Sequence, residues 1–159
     1  MSATNALAID LPDEAATADL ARRLARRAER GDVIGLQGAL GSGKTSFARA
    51  FIRSLDDGAQ EVPSPTFALV EVYAFAGRPP VWHFDLYRLS APEQAYELGI
   101  EDAFAEGISL IEWPERLGAL LPGEHLLIAF APGATSNARQ ARLSGGATWA
   151  SRLDGLRHG

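Results

Sequence analysis

Asp32 to Leu55 reads D-V-I-G-L-Q-G-A-L-G-S-G-K-T-S-F-A-R-A-F-I-R-S-L. Its opening, Asp32 to Gln37, reads as a short buried strand. Gly38 to Gly43 is rich in glycine and reads as a loop. Lys44 to Leu55 reads as a helix, because Phe47, Ala48, Phe51, Ile52 and Leu55 fall on one face at helical spacing. Asp56-Asp57-Gly58 ends it. Within this strand–loop–helix setting, Gly38 to Thr45 matches G-x-x-x-x-G-K-[ST], a phosphate-binding loop. Glycines let the backbone wrap around phosphate oxygens with its N–H groups turned inward. The helix N-terminus adds partial positive charge. Lys44 is placed to reach the β- and γ-phosphates, and the Thr45 hydroxyl to bind Mg²⁺. Gly38, Leu40, Gly41, Ser42, Gly43, Lys44, Thr45 and Ser46 are thereby the candidate nucleotide-binding residues.

Composition sharpens this reading. The chain has 15 Lys plus Arg, and reading along it finds one lysine, Lys44, among fourteen arginines. Glycine occurs 16 times, and Ser plus Thr by count another 16. Given one lysine, the chance of this pattern by composition alone is roughly one in a thousand. A position that keeps Lys in an Arg-rich chain needs a compact ammonium on a flexible stem.

Asn5 to Leu11 is a short edge strand. Thr17 is a helix N-cap, followed by Leu20, Leu24 and Ala28 in a helix that ends at Gly31. Its outer face holds Arg22, Arg23, Arg26, Arg27 and Arg30. That face is either solvated, with Arg stems lying over apolar surface, or a dock for an acidic partner or RNA. Val62 to Thr66 carries two prolines and is not helix. Ser64-Pro65-Thr66 is either a stiff proline turn or a switch segment whose hydroxyl lies near the γ-phosphate, so Thr66 joins the nucleotide-binding candidates. Phe67 to Phe75 is a strand, Gly77 to Pro80 a turn, and Val81 to Leu86 a strand. Pro92 to Leu98 is a short helix. Ile108 to Ile111, Leu126 to Ala131 and Arg139 to Ser144 are strands, and Thr148 to Leu156 a terminal helix. The order predicts a P-loop NTPase-like α/β fold, a three-layer sandwich with a mixed parallel/antiparallel sheet, as one domain over residues 1–159.

Two strand-end acids can complete the site, Asp85 after V-W-H-F and Glu112 after I-S-L-I. Glu112 is favoured as the metal-side acid, giving Thr45 and Glu112 as metal ligands. Asp85 is favoured to orient or deprotonate water, or as a second Mg²⁺-linked acid, and the two roles are interchangeable on sequence alone. Lys44, Asp85 and Glu112 are thus the catalytic candidates. His83 reads as a packed core or rim histidine, and Arg88 as a surface residue.

Several classes are excluded. The net charge is -5 and the pI about 5.2, which argues against unaided binding of DNA or RNA. There is no cysteine, hence no disulfide framework or thiolate metal site. The longest apolar run, Leu126 to Ala131, is too short to span a membrane. The first ten residues lack a basic signal-peptide region, which predicts the cytoplasm. A GTPase of the usual kind reads guanine with N-K-x-D, which needs a second lysine, so ATP is the expected nucleotide. A small-molecule kinase and a nucleotide-gated binding module are the rivals.

G-A-L-G-S-G-K-T, V-P-S-P-T-F (Val62 to Phe67), H-F-D-L-Y-R-L (His83 to Leu89) and I-E-W-P-E (Ile111 to Glu115), in this order from about Leu11 to Arg142, resemble the bacterial TsaE family, also called YjeE. The resemblance implies an ATPase that works with TsaB and TsaD to form threonylcarbamoyladenosine beside the anticodon of tRNAs reading codons that begin with A. It implies contact with tRNA only through that complex, and no DNA or membrane partner. By motif, the family's nucleotide loop falls on Leu40 to Thr45, its magnesium ligands on Thr45 and Glu112, and its important acid on Asp85. Its L-P-D-E start falls on Leu11 to Glu14, which implies that Glu14 lies near the nucleotide; Trp113, directly after the metal acid, is expected close to the site. The chain departs from the family at Ala39, where Asp is usual. That position is a free x of the loop, so phosphate binding is expected to survive, while any contact made by the family's Asp is lost here.

Overall fold

The computed structural model describes residues 5–56, 61–63, 65 and 68–158. Seven strands form one sheet: β1 (Asn5–Leu11), β2 (Val33–Gln37), β3 (Val70–Phe75), β4 (Arg78–Asp85), β5 (Ile108–Glu112), β6 (Leu126–Pro132) and β7 (Arg139–Gly145). Their order across the sheet is β1-β7-β6-β2-β5-β4-β3. β6, β2, β5 and β4 run parallel; β7 is antiparallel to β6, β1 is antiparallel to β7 and so runs with the core, and β3 is antiparallel to β4. The sheet is therefore mixed, as the sequence predicts.

Central parallel strands are covered on both faces and so lose the alternation of a half-buried strand. β5 is buried at all five positions and β2 at four of five. Four helices are α1 (Glu14–Ala25), α2 (Lys44–Ser54), α3 (Ile100–Glu106) and α4 (Ala150–His158). α1, α2 and α4 cover one face through Leu20, Leu24, Phe47, Phe51, Ile52 and Leu153. α3 and two 3₁₀ turns, Pro92–Leu98 and Pro114–Leu120, cover the other through Ile100, Ala95 and Leu117. Phe47, Phe51 and Ile52 are fully buried. Truncating either phenylalanine to alanine removes about 3–5 kcal/mol.

The structure corrects several boundaries. Asp13, not Thr17, caps α1: its Oδ1 accepts from the Ala16 N–H at 2.9 Å. Asp is the stronger cap, and Thr17 is instead buried inside the helix. α1 stops at Ala25 rather than Gly31, and Gly31, at φ 91°, donates its N–H to Gly107 O at 2.8 Å. The Gly77 to Pro80 turn is shorter, because Arg78 to Pro80 belong to β4. Its two prolines fall where the β3–β4 register shifts, and β5 pairs with β4 only from Val81. A bulge with no second neighbour is where a strand tolerates missing donors. β3 starts at Val70, and Phe67 lies outside the described residues. α3 and the Pro114–Leu120 turn were not legible in the sequence.

The arginine face is partly structural. Arg23 donates to Leu156 O at 2.6 Å, Arg27 to Arg23 O at 2.9 Å and Arg30 to Glu106 O at 2.7 Å. Arg22 pairs with Asp19. Arg152 of α4 closes the same end. It forks onto both oxygens of Asp32 (2.6 and 3.2 Å), donates to Arg27 O at 3.1 Å and lies 3.6 Å above the Trp149 ring. Both partners are largely buried, so the pair escapes most solvent screening. Arg152→Ala is expected to lower unfolding free energy by about 2–3 kcal/mol, by the loss of charge-assisted hydrogen bonds. Arg152→Lys should recover little, since an ammonium cannot fork. Urea denaturation of the three proteins checks this, and wild-type stability in either variant would refute the clamp.

Candidate functional site

β2 ends at the glycine loop, and its parallel neighbour β5 ends at Glu112. Asp85 at the end of β4 is in register with Glu112. Both acids therefore stand at the carboxyl edge of the sheet, on the face covered by α2. Side-chain alternation puts them there: Val81, His83 and Asp85 share one face of β4, as Ile108, Leu110 and Glu112 share one of β5.

The loop, the start of α1, the ends of β4 and β5 and the β6–β7 hairpin enclose a cavity of about 280 Å³. Leu40, Gly41, Gly43, Lys44, Thr45 and Ser46 line it from the loop and α2, and Asp85 and Glu112 from the strands. Asp13, Glu14 and Thr17 line it from α1. Gly38 and Ser42 stand behind the wall and shape it. A Cβ on Gly38 would sit 2.6 Å from Ser42 Oγ and 2.9 Å from Phe130 O. Gly41 and Gly43 adopt φ of 76° and 109°, a region that costs other residues strain. Thr66, with Ser64, lies outside the described residues.

Lys44 is nearly buried, and its ammonium donates to Gly38 O (2.6 Å) and Ala39 O (2.8 Å). It also lies 4.3 Å from the centre of the Trp113 ring. Burial holds its pKa below the usual 10.5, and the charges of Glu112, Asp85 and Glu115 offset this only in part. Thr45 Oγ1 donates to Glu112 Oε1 at 2.7 Å, and His83 Nε2 lies 2.7 Å from Glu112 Oε2. Asp85 Oδ1 accepts from the Tyr87 N–H at 3.1 Å. A hydroxyl beside a carboxylate is a hard oxygen pair that suits Mg²⁺, which binds through one or two protein ligands plus substrate phosphates. Among the described residues no cluster of three or more His, Asp or Glu could hold a metal unaided.

The sequence reading missed the roles of His83 and Arg139, and the places of Asp13, Thr17, Tyr87 and Asn137 in the cavity wall. His83 is buried as expected, but its ring meets Glu112 rather than only apolar neighbours. Alternation with Asp85 carried that signal, once β4 and β5 are known to be neighbours. Arg139 donates to Ser42 O and Gly41 O, both at 3.2 Å, and to Ser136 O (3.0 Å) and Ala138 O (2.8 Å). It thus fastens the hairpin to the loop from 97 residues away, with no local motif. Asn137 lines the cavity beside it. Trp113 is close to the site as expected, and it holds φ at 63° in the left-handed region. Tyr87 stacks against it at 5.0 Å. Arg88 is exposed and does not line the cavity.

A parallel sheet core with a glycine loop at the end of a central strand, followed by a helix, is the architecture of the P-loop NTPase class. Comparison with known proteins narrows this class. The family model for the threonylcarbamoyl adenosine biosynthesis protein TsaE matches residues 11–141, and the chain belongs to the TsaE family. It is 41% identical over 111 residues to a tRNA threonylcarbamoyladenosine biosynthesis protein TsaE of Rickettsia conorii, a match covering 70% of this chain and 63% of that protein. The chain thus spans less than two-thirds of that relative's length. The protein of the same name from Synechocystis is 40% identical over 123 residues, 73% of this chain and 75% of the relative. The crystal structure of Bacillus subtilis YdiB superposes with a TM-score of 0.80 at 27% identity, covering 99% of both chains.

Two outcomes follow from this geometry. Arg139→Ala is expected to weaken nucleotide binding about tenfold, because loss of charge-assisted bonds worth roughly 1.4 kcal/mol loosens the loop. Calorimetric titration with an ATP analogue checks it, and an unchanged affinity would remove Arg139 from the site. Phosphates need Lys44 charged, and its pKa is lowered, so affinity should fall on the alkaline side earlier than a lysine of pKa 10.5 allows. The same titration repeated from pH 7 upward reads this, and a flat profile up to pH 10.5 would contradict it.

Proposed function

We propose that this chain is a Mg²⁺-dependent ATPase that serves threonylcarbamoyladenosine formation in tRNA together with TsaB and TsaD. It acts in the cytoplasm as one ATPase domain over residues 1–159, and meets tRNA only through the complex. Membership of the TsaE family supports the pathway. The observation that carries the activity is the convergence of Lys44, Thr45, Glu112 and Asp85 on one cavity beneath the glycine loop.

In this reading ATP lies with its phosphates in the loop, over the amides of Leu40 to Thr45 and the start of α2. Glu14 and Ser46 line the same cavity and contact the nucleotide. Thr66, outside the described residues, stays a nucleotide-binding candidate by its place in the sequence. Thr45 and Glu112 would hold Mg²⁺, which would supply positive charge against the phosphates. Lys44 leaves the carbonyls of Gly38 and Ala39 and turns its ammonium to the phosphates. Asp85 orients the attacking water in line with the leaving oxygen. The Arg139 guanidinium is directed at main-chain carbonyls of the loop and hairpin, so it is no arginine finger for the γ-phosphate. Turnover by the isolated chain is therefore slow, and the partners supply the missing order or charge.

The test is phosphate release from ATP and Mg²⁺, with and without TsaB and TsaD, using Glu112→Ala as the blank. The expected result is partner-dependent release that Glu112→Ala lacks. Asp85→Ala should lose about 100-fold or more in rate while still binding ATP. Equal turnover with and without partners would defeat the gated reading. A phosphorylated metabolite instead of free phosphate would assign the site to a small-molecule kinase. ATP binding with no hydrolysis in either condition would make the chain a nucleotide-gated binding module.

A further inference from the structure

His83 is wholly buried in β4, two residues before Asp85, on the face that α2 covers. Its neighbours on that face, Val81 and Leu110, are apolar core residues. A histidine here is out of keeping with its surroundings unless a polar partner holds it. That partner is Glu112 Oε2, 2.7 Å from Nε2. The other ring nitrogen, Nδ1, is buried with no hydrogen-bond partner. A buried unpaired nitrogen costs about 1–3 kcal/mol. Packing alone would be served better by an aliphatic side chain, so the bond to Glu112 is what the ring provides. An ionised carboxylate only accepts, so Nε2 carries the hydrogen and points it at Oε2.

The two oxygens of Glu112 are thereby distinguished. Oε2 is occupied from inside the sheet by His83. Oε1 faces Thr45, which directs its proton there at 2.7 Å and keeps its own lone pairs free. Outer partners of this kind fix the orientation and basicity of metal-binding side chains.

We propose that His83 is the positioning residue for Glu112. It pins Oε2, so that Oε1 and the Thr45 hydroxyl are presented together to the divalent cation before the nucleotide arrives. The proposal rests on the reading of Glu112 as the metal-side acid.

The test measures Mn²⁺ affinity by electron paramagnetic resonance in the complex with a non-hydrolysable ATP analogue. Analogue affinity without metal, in EDTA, is measured alongside. His83→Leu should weaken Mn²⁺ binding about 10- to 100-fold and leave the metal-free affinity unchanged. A merely structural role would not separate these two readouts. His83→Gln should restore Mn²⁺ binding, because its amide N–H reaches about as far as Nε2. His83→Asn is too short and should not. Wild-type Mn²⁺ affinity in His83→Leu, with Glu112→Ala defective, would overturn the positioning role alone. Wild-type affinity in Glu112→Ala would overturn the metal-acid reading and the proposal with it. If His83→Leu does not fold, equal Mn²⁺ affinities in the Gln and Asn variants would overturn the proposal.

Discussion

The hydrogen bond from Thr45 to Glu112 is the constraint on which the site depends. It joins the first turn of α2 to the end of β5, across 67 residues of chain. It holds the start of α2, and with it the end of the loop that leaves β2, against the sheet edge. Glu112 in turn needs β4 as its other neighbour, because His83 reaches it from there. Two neighbouring strands and one helix N-terminus are thus tied through a single carboxylate. Buried carboxylates are costly unless paired, so the pairing that prepares the site also permits the burial.

Lys44 stands among the acids of the cavity. Lys44 faces Glu112, Asp85 and Glu115, yet burial outweighs them and lowers its pKa. The ammonium resides on carbonyls of its own loop, against the Trp113 ring. These are weaker acceptors than phosphate oxygens. A phosphate group therefore offers what the loop carbonyls do not, charged acceptors for a partly desolvated lysine. Trp113 is held at φ 63° beside it, in a region where non-glycine residues carry strain of about 1–3 kcal/mol. Strain of this kind persists where the surroundings over-determine it. Here they are the Tyr87 ring, the Lys44 ammonium and a backbone bond from Trp113 N–H to Leu36 O at 3.2 Å.

The two faces of the sheet contribute differently. The α1–α2–α4 face is a large aliphatic and aromatic core, and it aims the loop. The opposite face holds a smaller cluster under α3 and the 3₁₀ turns. Gly35 marks a close approach on that side, since a Cβ there would lie 3.0 Å from the Pro114 ring. That contact seats the turn directly after Glu112 and Trp113, so packing remote from the cavity sets where β5 ends.

The sequence by itself determined the local grammar. Strand, glycine loop and helix follow from Asp32 to Leu55, because apolar period, glycine and a single lysine are local signals. Asp85 and Glu112 were legible as strand-end acids, and Asn5–Leu11 as an edge strand, from their immediate neighbours. Tertiary structure decided whatever depends on strand order. His83 became a partner of Glu112 only when β4 lay beside β5. Arg139 joined the loop only when the β6–β7 hairpin folded back over it. Arg23 of α1 and Arg30 in the turn after it found carbonyls on α4 and at the end of α3. Residue type and spacing encode what a segment does to itself. Which segments meet is settled by how apolar faces bury one another, and that sum runs over the whole chain.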